Sequence, residues 1–184
     1  MNSHFILKFV VGGDGGVGKT THMCTFVGNP YGDNDLTKGV DFHIKKVKIN
    51  GVIKILQVWD LGGEDQFRFL LPSFLKEAQG FLLGFDIFRH KTYVNLPGWL
   101  NIFREACPQA PIVLVGYKFD KGYHPVLNKK RALEFVDRFN LNSYVEVSSK
   151  ANMNVELPFK MLLETLTSEL NESVQIKFLS TNET

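Results

Sequence analysis

The sequence predicts an α/β fold, a six-stranded and mainly parallel sheet with one antiparallel strand, flanked by about five helices. Two observations carry this. Short apolar, β-branched or aromatic runs alternate with longer segments of helical spacing along most of the chain, which is the pattern of βαβ units and a parallel sheet. One pair of strand-like runs is instead joined by Asn50-Gly51, the dipeptide that tight hairpins prefer, so that pair is expected to be antiparallel.

Taken in order, the strand-like runs cover residues 5–11, 40–49, 52–59, 80–86, 111–116 and 144–147, and the helical spacings cover 19–27, 66–76, 93–106, 127–139 and 155–170. With 184 residues, 44% hydrophobic and 22% charged, the chain has the composition of one ordinary folded domain, set here at 1–170, followed by a polar tail at 171–184 expected to be flexible. A net charge of +2 gives no field that would recruit nucleic acid, and none is expected as a partner. Cys24 and Cys107, the only two cysteines, read as free thiols of a reducing compartment. No stretch approaches the ~20 apolar residues that a bilayer span needs, so a cytoplasmic protein, peripheral to membranes at most, is expected.

Gly13-Asp14-Gly15-Gly16-Val17-Gly18-Lys19-Thr20 satisfies the phosphate-loop pattern directly after a strand and at the opening of a helix, with Thr21 following. This makes the predicted fold that of a phosphate-loop NTPase. Glycines let successive backbone N–H groups and the positive helix end face an anion. Lys19 adds a point charge for the β and γ phosphates. The Thr20 hydroxyl is a hard oxygen suited to a Mg²⁺ ion that bridges them.

The base is read elsewhere. Tyr117-Lys118-Phe119-Asp120 closes the fifth strand and Ser148-Ser149-Lys150 the sixth, both at the carboxyl edge where open α/β sheets bind ligands. Here the chain resembles the Ras superfamily, whose guanine-reading segments are N-K-x-D and S-A-K. The resemblance implies that Asp120 accepts from the guanine N–H groups, that Lys118 packs along the base, and that a Ser149 backbone N–H meets the guanine oxygen. Adenine lacks that donor pair, so GTP and GDP are the implied ligands. Tyr117 replaces the family asparagine that ties this segment to the phosphate loop, and loss of that tie is expected to weaken binding by ~1–3 kcal/mol.

Thr37-Lys38-Gly39-Val40-Asp41-Phe42 and Lys54-Ile55-Leu56-Gln57-Val58-Trp59-Asp60 are similar to the I-G-V-D-F and K-L-Q-I-W-D segments of Rab proteins. The likeness runs in order through about the first 170 residues. It implies that Thr37 reaches Mg²⁺ and the γ phosphate, that Asp60 holds the metal through water, and that Gly63 senses the γ phosphate, together making two switches. Tyr31 falls where the family sets an aromatic over the guanine face; on its own terms it is a half-buried loop aromatic. Glu64 stands where the family has a glutamine that orients the attacking water, and as a carboxylate it can either accept from water or repel the γ phosphate. Lys19, Thr37, Gly63 and Glu64 are thus the expected catalytic set, for a slow GTPase that needs an activating partner.

Phe42, Trp59 and Phe74 match the aromatic cluster through which Rab proteins meet effector, exchange and activating proteins, with Phe67, Phe69, Leu70 and Leu71 extending it; read without the family they are packing under a loop. Arg89, Lys91 and Arg131 read as solvated surface charge. The chain as given has no cysteine past Cys107 and hence no prenyl anchor, and a monomer is expected. Two other readings are open: a nucleotide-binding scaffold with little hydrolysis, suggested by Tyr117 and Glu64 together, and a small phosphate-loop kinase or ATPase, which would need an arginine-rich lid not found here.

Overall fold

Asn50 and Gly51 adopt positive φ values of 47° and 85°, the pair of angles that a two-residue hairpin turn demands, and they join β2 (Val40–Ile49) to β3 (Val52–Leu61) in full antiparallel register. The computed structural model describes residues 6–28, 37, 39–63, 71–168 and 174–180. The remaining strands are β1 (Ile6–Gly12), β4 (Gly80–Asp86), β5 (Ile112–Tyr117), β6 (Ser143–Val147) and β7 (Ile176–Phe178). The sheet order is β6-β5-β4-β1-β3-β2-β7. All strands but β2 run the same way, since β7 opposes β2 and β2 opposes β3. β1, β4 and β5 bury nearly every residue, as expected of strands covered on both faces.

The helices are α1 (Lys19–Val27), α2 (Leu71–Leu75), α3 (His90–Val94), α4 (Leu96–Ala106), α5 (Lys129–Arg138) and α6 (Leu157–Thr167). One face of the sheet packs Met23 and Phe26 of α1 with Phe159 and Leu162 of α6. The other packs Leu75, Trp99, Phe103 and Phe135 from α2, α4 and α5. The helical spacing over 93–106 resolves into two helices, broken at Asn95, because Pro97 has no N–H and is accommodated only in a first turn. At α5, the Asn128 side chain accepts from the Arg131 N–H at 2.9 Å, a cap that starts the helix two residues later than its spacing suggests.

Two expectations change. The sheet has a seventh strand, and it comes from the segment expected to be a flexible tail. Ile176–Phe178 pairs with Val47–Ile49, Gln175 and Asn50 exchange hydrogen bonds, and Phe178 meets Phe26 edge-on with ring centroids 5.3 Å apart. The signal was present as the alternation Val174, Ile176, Phe178, too short to outweigh the polar residues between.

Candidate nucleotide site

The loop between β1 and α1 is held against the sheet. Gly13 has φ 139°, and a Cβ there would fall 2.1 Å from the Gly84 carbonyl oxygen on β4, so no other residue fits. Lys19 is buried and folds back over the loop, its Nζ donating to the Gly13 and Asp14 carbonyls at 2.7 and 2.9 Å. Burial draws its pKa down to about 8, against the opposing pull of the Asp60 and Asp14 carboxylates. α1 starts from Gly18 without a side-chain cap, leaving its first N–H groups to face a ligand. Asp14 would repel a phosphate if its carboxylate faced the loop's interior. It is turned away, accepting from Asn95 Nδ2 at 2.7 Å and Trp99 Nε1 at 3.0 Å, so only its backbone belongs to the cradle.

A corner of hard oxygens lies beside Lys19. The Thr20 hydroxyl is 2.5 Å from Asp60 Oδ2 and 2.6 Å from the Thr37 hydroxyl, and Thr37 also lies 3.5 Å from the same carboxylate oxygen. Asp60 is fully buried, its other oxygen Oδ1 has no hydrogen-bond partner among the described residues, and burial raises its pKa. A buried carboxylate with an unsatisfied oxygen beside two hydroxyls fits Mg²⁺. Gly62 N–H donates to the Gly39 carbonyl at 2.7 Å, joining the Thr37 and Asp60 segments, and a Cβ on Gly63 would fall 2.1 Å from Gly15 N. Gly63 thus brings its backbone against the phosphate loop, as its implied sensing role needs. Tyr31, Glu64, Phe67, Phe69 and Leu70 lie outside the described residues, and so does the side chain of Leu71.

The two segments expected to read the base meet. Asp120 Oδ1 accepts from the buried Ser148 hydroxyl at 2.6 Å, and that hydroxyl accepts in turn from the Ala151 N–H at 3.1 Å. Ser149 follows half-buried and Lys150 exposed. Lys118 takes a left-handed φ of 65°, and its Nζ donates to the Gly16 carbonyl at 2.7 Å and pairs with Asp86 Oδ2 at 2.8 Å. The Tyr117 hydroxyl does not take over the asparagine's bonds to the phosphate loop, but the segment is tied to that region by other contacts. Lys118 itself grips the phosphate loop, and the buried Tyr117 hydroxyl reaches His22 Nδ1 on α1 at 3.2 Å.

The expectation for Arg89 is corrected. It is no free surface charge: its Nε lies 3.1 Å from Asp86 Oδ2 and its Nη2 donates to the Gly15 carbonyl at 2.8 Å. Asp86, buried at the end of β4, thus directs two cations onto consecutive carbonyls of the loop. Its position at the carboxyl edge was the only sequence signal. Because the Arg89 side chain is 45% exposed, Arg89→Ala is expected to speed nucleotide release only about threefold, in line with a partly exposed ion pair of up to ~1 kcal/mol, in a fluorescent-nucleotide displacement assay.

Phe42, Trp59 and Phe74 form a continuous patch, with centroids 6.1 and 5.8 Å apart and Phe42 56% exposed. Core packing does not account for Phe42. Cys24 and Cys107 are free thiols, as expected, and no helix among the described residues is long and apolar enough to cross a membrane.

A phosphate loop, an oxygen corner and the Asp120–Ser148 pair along one edge of a mainly parallel sheet define a nucleotide-binding protein of the phosphate-loop class. The Ras family profile matches residues 8–168, and the chain belongs to that family. It is similar to the Ras-related protein Rab-27B of Homo sapiens, 30% identical over an alignment of length 184 that covers 93% of this chain and 84% of that protein. It is also similar to the Ras-related protein Rab-1A of Dictyostelium discoideum, 32% identical over an alignment of length 172 that covers 92% and 85%. The chain is a Rab-like small GTPase of the Ras superfamily.

Proposed function

We propose that the protein is a GTP/GDP switch that hydrolyses GTP slowly by in-line attack of water and is accelerated by an activating partner. One observation carries the reading: Lys19, Thr20, Thr37 and Asp60 converge at one end of the sheet edge while Lys118, Asp120 and Ser148 converge at the other, and Lys118 spans the two. Mg²⁺, held by Thr20, Thr37 and, through water, Asp60, would neutralise phosphate charge. Lys19 supplies the neighbouring positive charge, and Thr37 and Gly63 contact the γ phosphate, so that its loss frees both segments. Residues 1–170 form the switching domain, here extended by the β7 strand. The partners are effector, exchange and activating proteins that dock on Phe42, Trp59 and Phe74, and membrane traffic is the process the Rab likeness suggests. The protein acts as a cytoplasmic monomer, peripheral to membranes.

The direct test is to denature the purified protein and separate what it releases by ion exchange. GDP or GTP is expected, and adenine nucleotides in its place would overturn the reading. Multiple-turnover phosphate release then distinguishes a cycling GTPase from a scaffold. Glu64 brings a negative charge to the position expected beside the γ phosphate, where repulsion at ~4 Å is worth ~1–4 kcal/mol. Glu64→Gln is expected to change single-turnover cleavage by about tenfold, the lower part of that range, faster where the carboxylate repels the phosphate and slower where it accepts from the attacking water. Equal rates would remove any role for this side chain.

A further inference from the structure

We propose that His22 and Tyr117 form a buried relay that ties the base-reading segment to the phosphate-loop helix, which makes His22 a positioning residue for nucleotide retention. The inference rests on the reading of this sheet edge as a guanine-nucleotide site. Tyr117 ends β5, one residue before Lys118 and three before Asp120; His22 lies in the first turn of α1, three residues after Lys19. Both side chains are buried, with His22 wholly so.

The geometry fixes the direction of every bond in the relay. His22 Nε2 lies 2.7 Å from the Val155 carbonyl oxygen, which can only accept, so Nε2 carries the imidazole proton. Nδ1 is then a lone pair, and the Tyr117 hydroxyl 3.2 Å away donates to it. One chain of bonds therefore runs from the end of β5, through α1, to the segment that follows Ser148-Ser149-Lys150. It joins the Tyr117-Lys118-Phe119-Asp120 segment, and the stretch five residues beyond Lys150, to the helix that carries Lys19 and Thr20.

The rings add a steric lock. Tyr117 and His22 meet edge-on with centroids 5.4 Å apart and planes at 61°, and His22 rests against Phe159 of α6 at 5.4 Å. A Cβ on Gly84 would fall 2.3 Å from Tyr117 Cε2, and one on Gly18 would fall 3.6 Å from Tyr117 Cβ, so the phenol fills the space between β4 and the start of α1. An asparagine, with its much shorter side chain, could not span this distance. The tyrosine at 117 and the histidine at 22 are two halves of one device. To release a nucleotide by parting the base-reading segment from the phosphate loop, the protein must leave a phenol oxygen and an imidazole nitrogen buried without partners.

The test is the release rate of a fluorescent guanosine diphosphate analogue from the whole chain. Tyr117→Phe, which removes one oxygen and keeps the packing, is expected to speed release about tenfold, and His22→Leu by a similar factor. The double variant should be no faster than either single one, because each already cuts the same link. Inorganic pyrophosphate should compete equally with wild type and with Tyr117→Phe, since the phosphate loop itself is intact. Release from Tyr117→Phe within twofold of wild type overturns the relay, and so does a double variant about a hundredfold faster, the product of two independent effects. A parallel loss of pyrophosphate binding overturns the positioning role in favour of a purely structural one. If His22→Leu fails to fold, Tyr117→Phe still decides the question through its release rate and pyrophosphate competition. A wild-type protein that binds no guanosine diphosphate at all defeats the underlying nucleotide reading instead.

Discussion

Asp120→Ala is expected to lower the affinity for guanosine diphosphate by ~10²–10⁴ and to erase the preference for guanine over adenine, because it removes two charge-assisted hydrogen bonds worth ~1.5–3 kcal/mol each. The carboxylate is already oriented for this work. Its Oδ1 is anchored by the Ser148 hydroxyl, itself held by the Ala151 N–H, so its direction does not depend on ligand. Pyrophosphate affinity should be unchanged, since the phosphate loop and Lys19 lie at the other end of the site. Calorimetric titration of GDP, ADP and pyrophosphate into both proteins checks this. An undiminished preference for guanine in the variant would remove the basis for assigning the base at all.

The second large effect is acid destabilisation through His22. Burial lowers its pKa from 6.5 to about 4, opposed only in part by the bond to Val155. The unfolded chain takes up this proton near pH 6.5 and the folded chain only near pH 4, so stability is full above 6.5 and declines as pH falls between those values. The loss amounts to about 3 kcal/mol, since each tenfold difference in proton affinity between the two states is worth ~1.4 kcal/mol. Urea unfolding of wild type and His22→Leu from pH 7.5 to 4 isolates this contribution as the difference between the two slopes. Parallel slopes would show that His22 does not titrate as a buried neutral group.

Much of the molecule was legible in the chain alone. The phosphate loop is a local pattern, since Gly13 to Thr20 are contiguous and their chemistry depends on a strand before them and a helix after. The Asn50-Gly51 hairpin is equally local, and so are the core strands, whose apolar runs have few alternatives once covered on both faces. Segments at the ends of β5 and β6 could be assigned to the same edge because a parallel sheet delivers every carboxyl end to one side.

What the tertiary structure decided are contacts between residues far apart in sequence. That Asp14 turns its charge into α4, that Asp86 gathers Lys118 and Arg89 onto the loop, and that Tyr117 finds His22 rather than leaving a tie unmade, all depend on which helix lies over which strand. β7 belongs to the same class, because three alternating residues become a strand only where a β2 edge is there to pair with them. Short-range pattern fixes backbone conformation and the order of elements. Side-chain partnerships between distant parts of the chain are set only when packing brings those elements together.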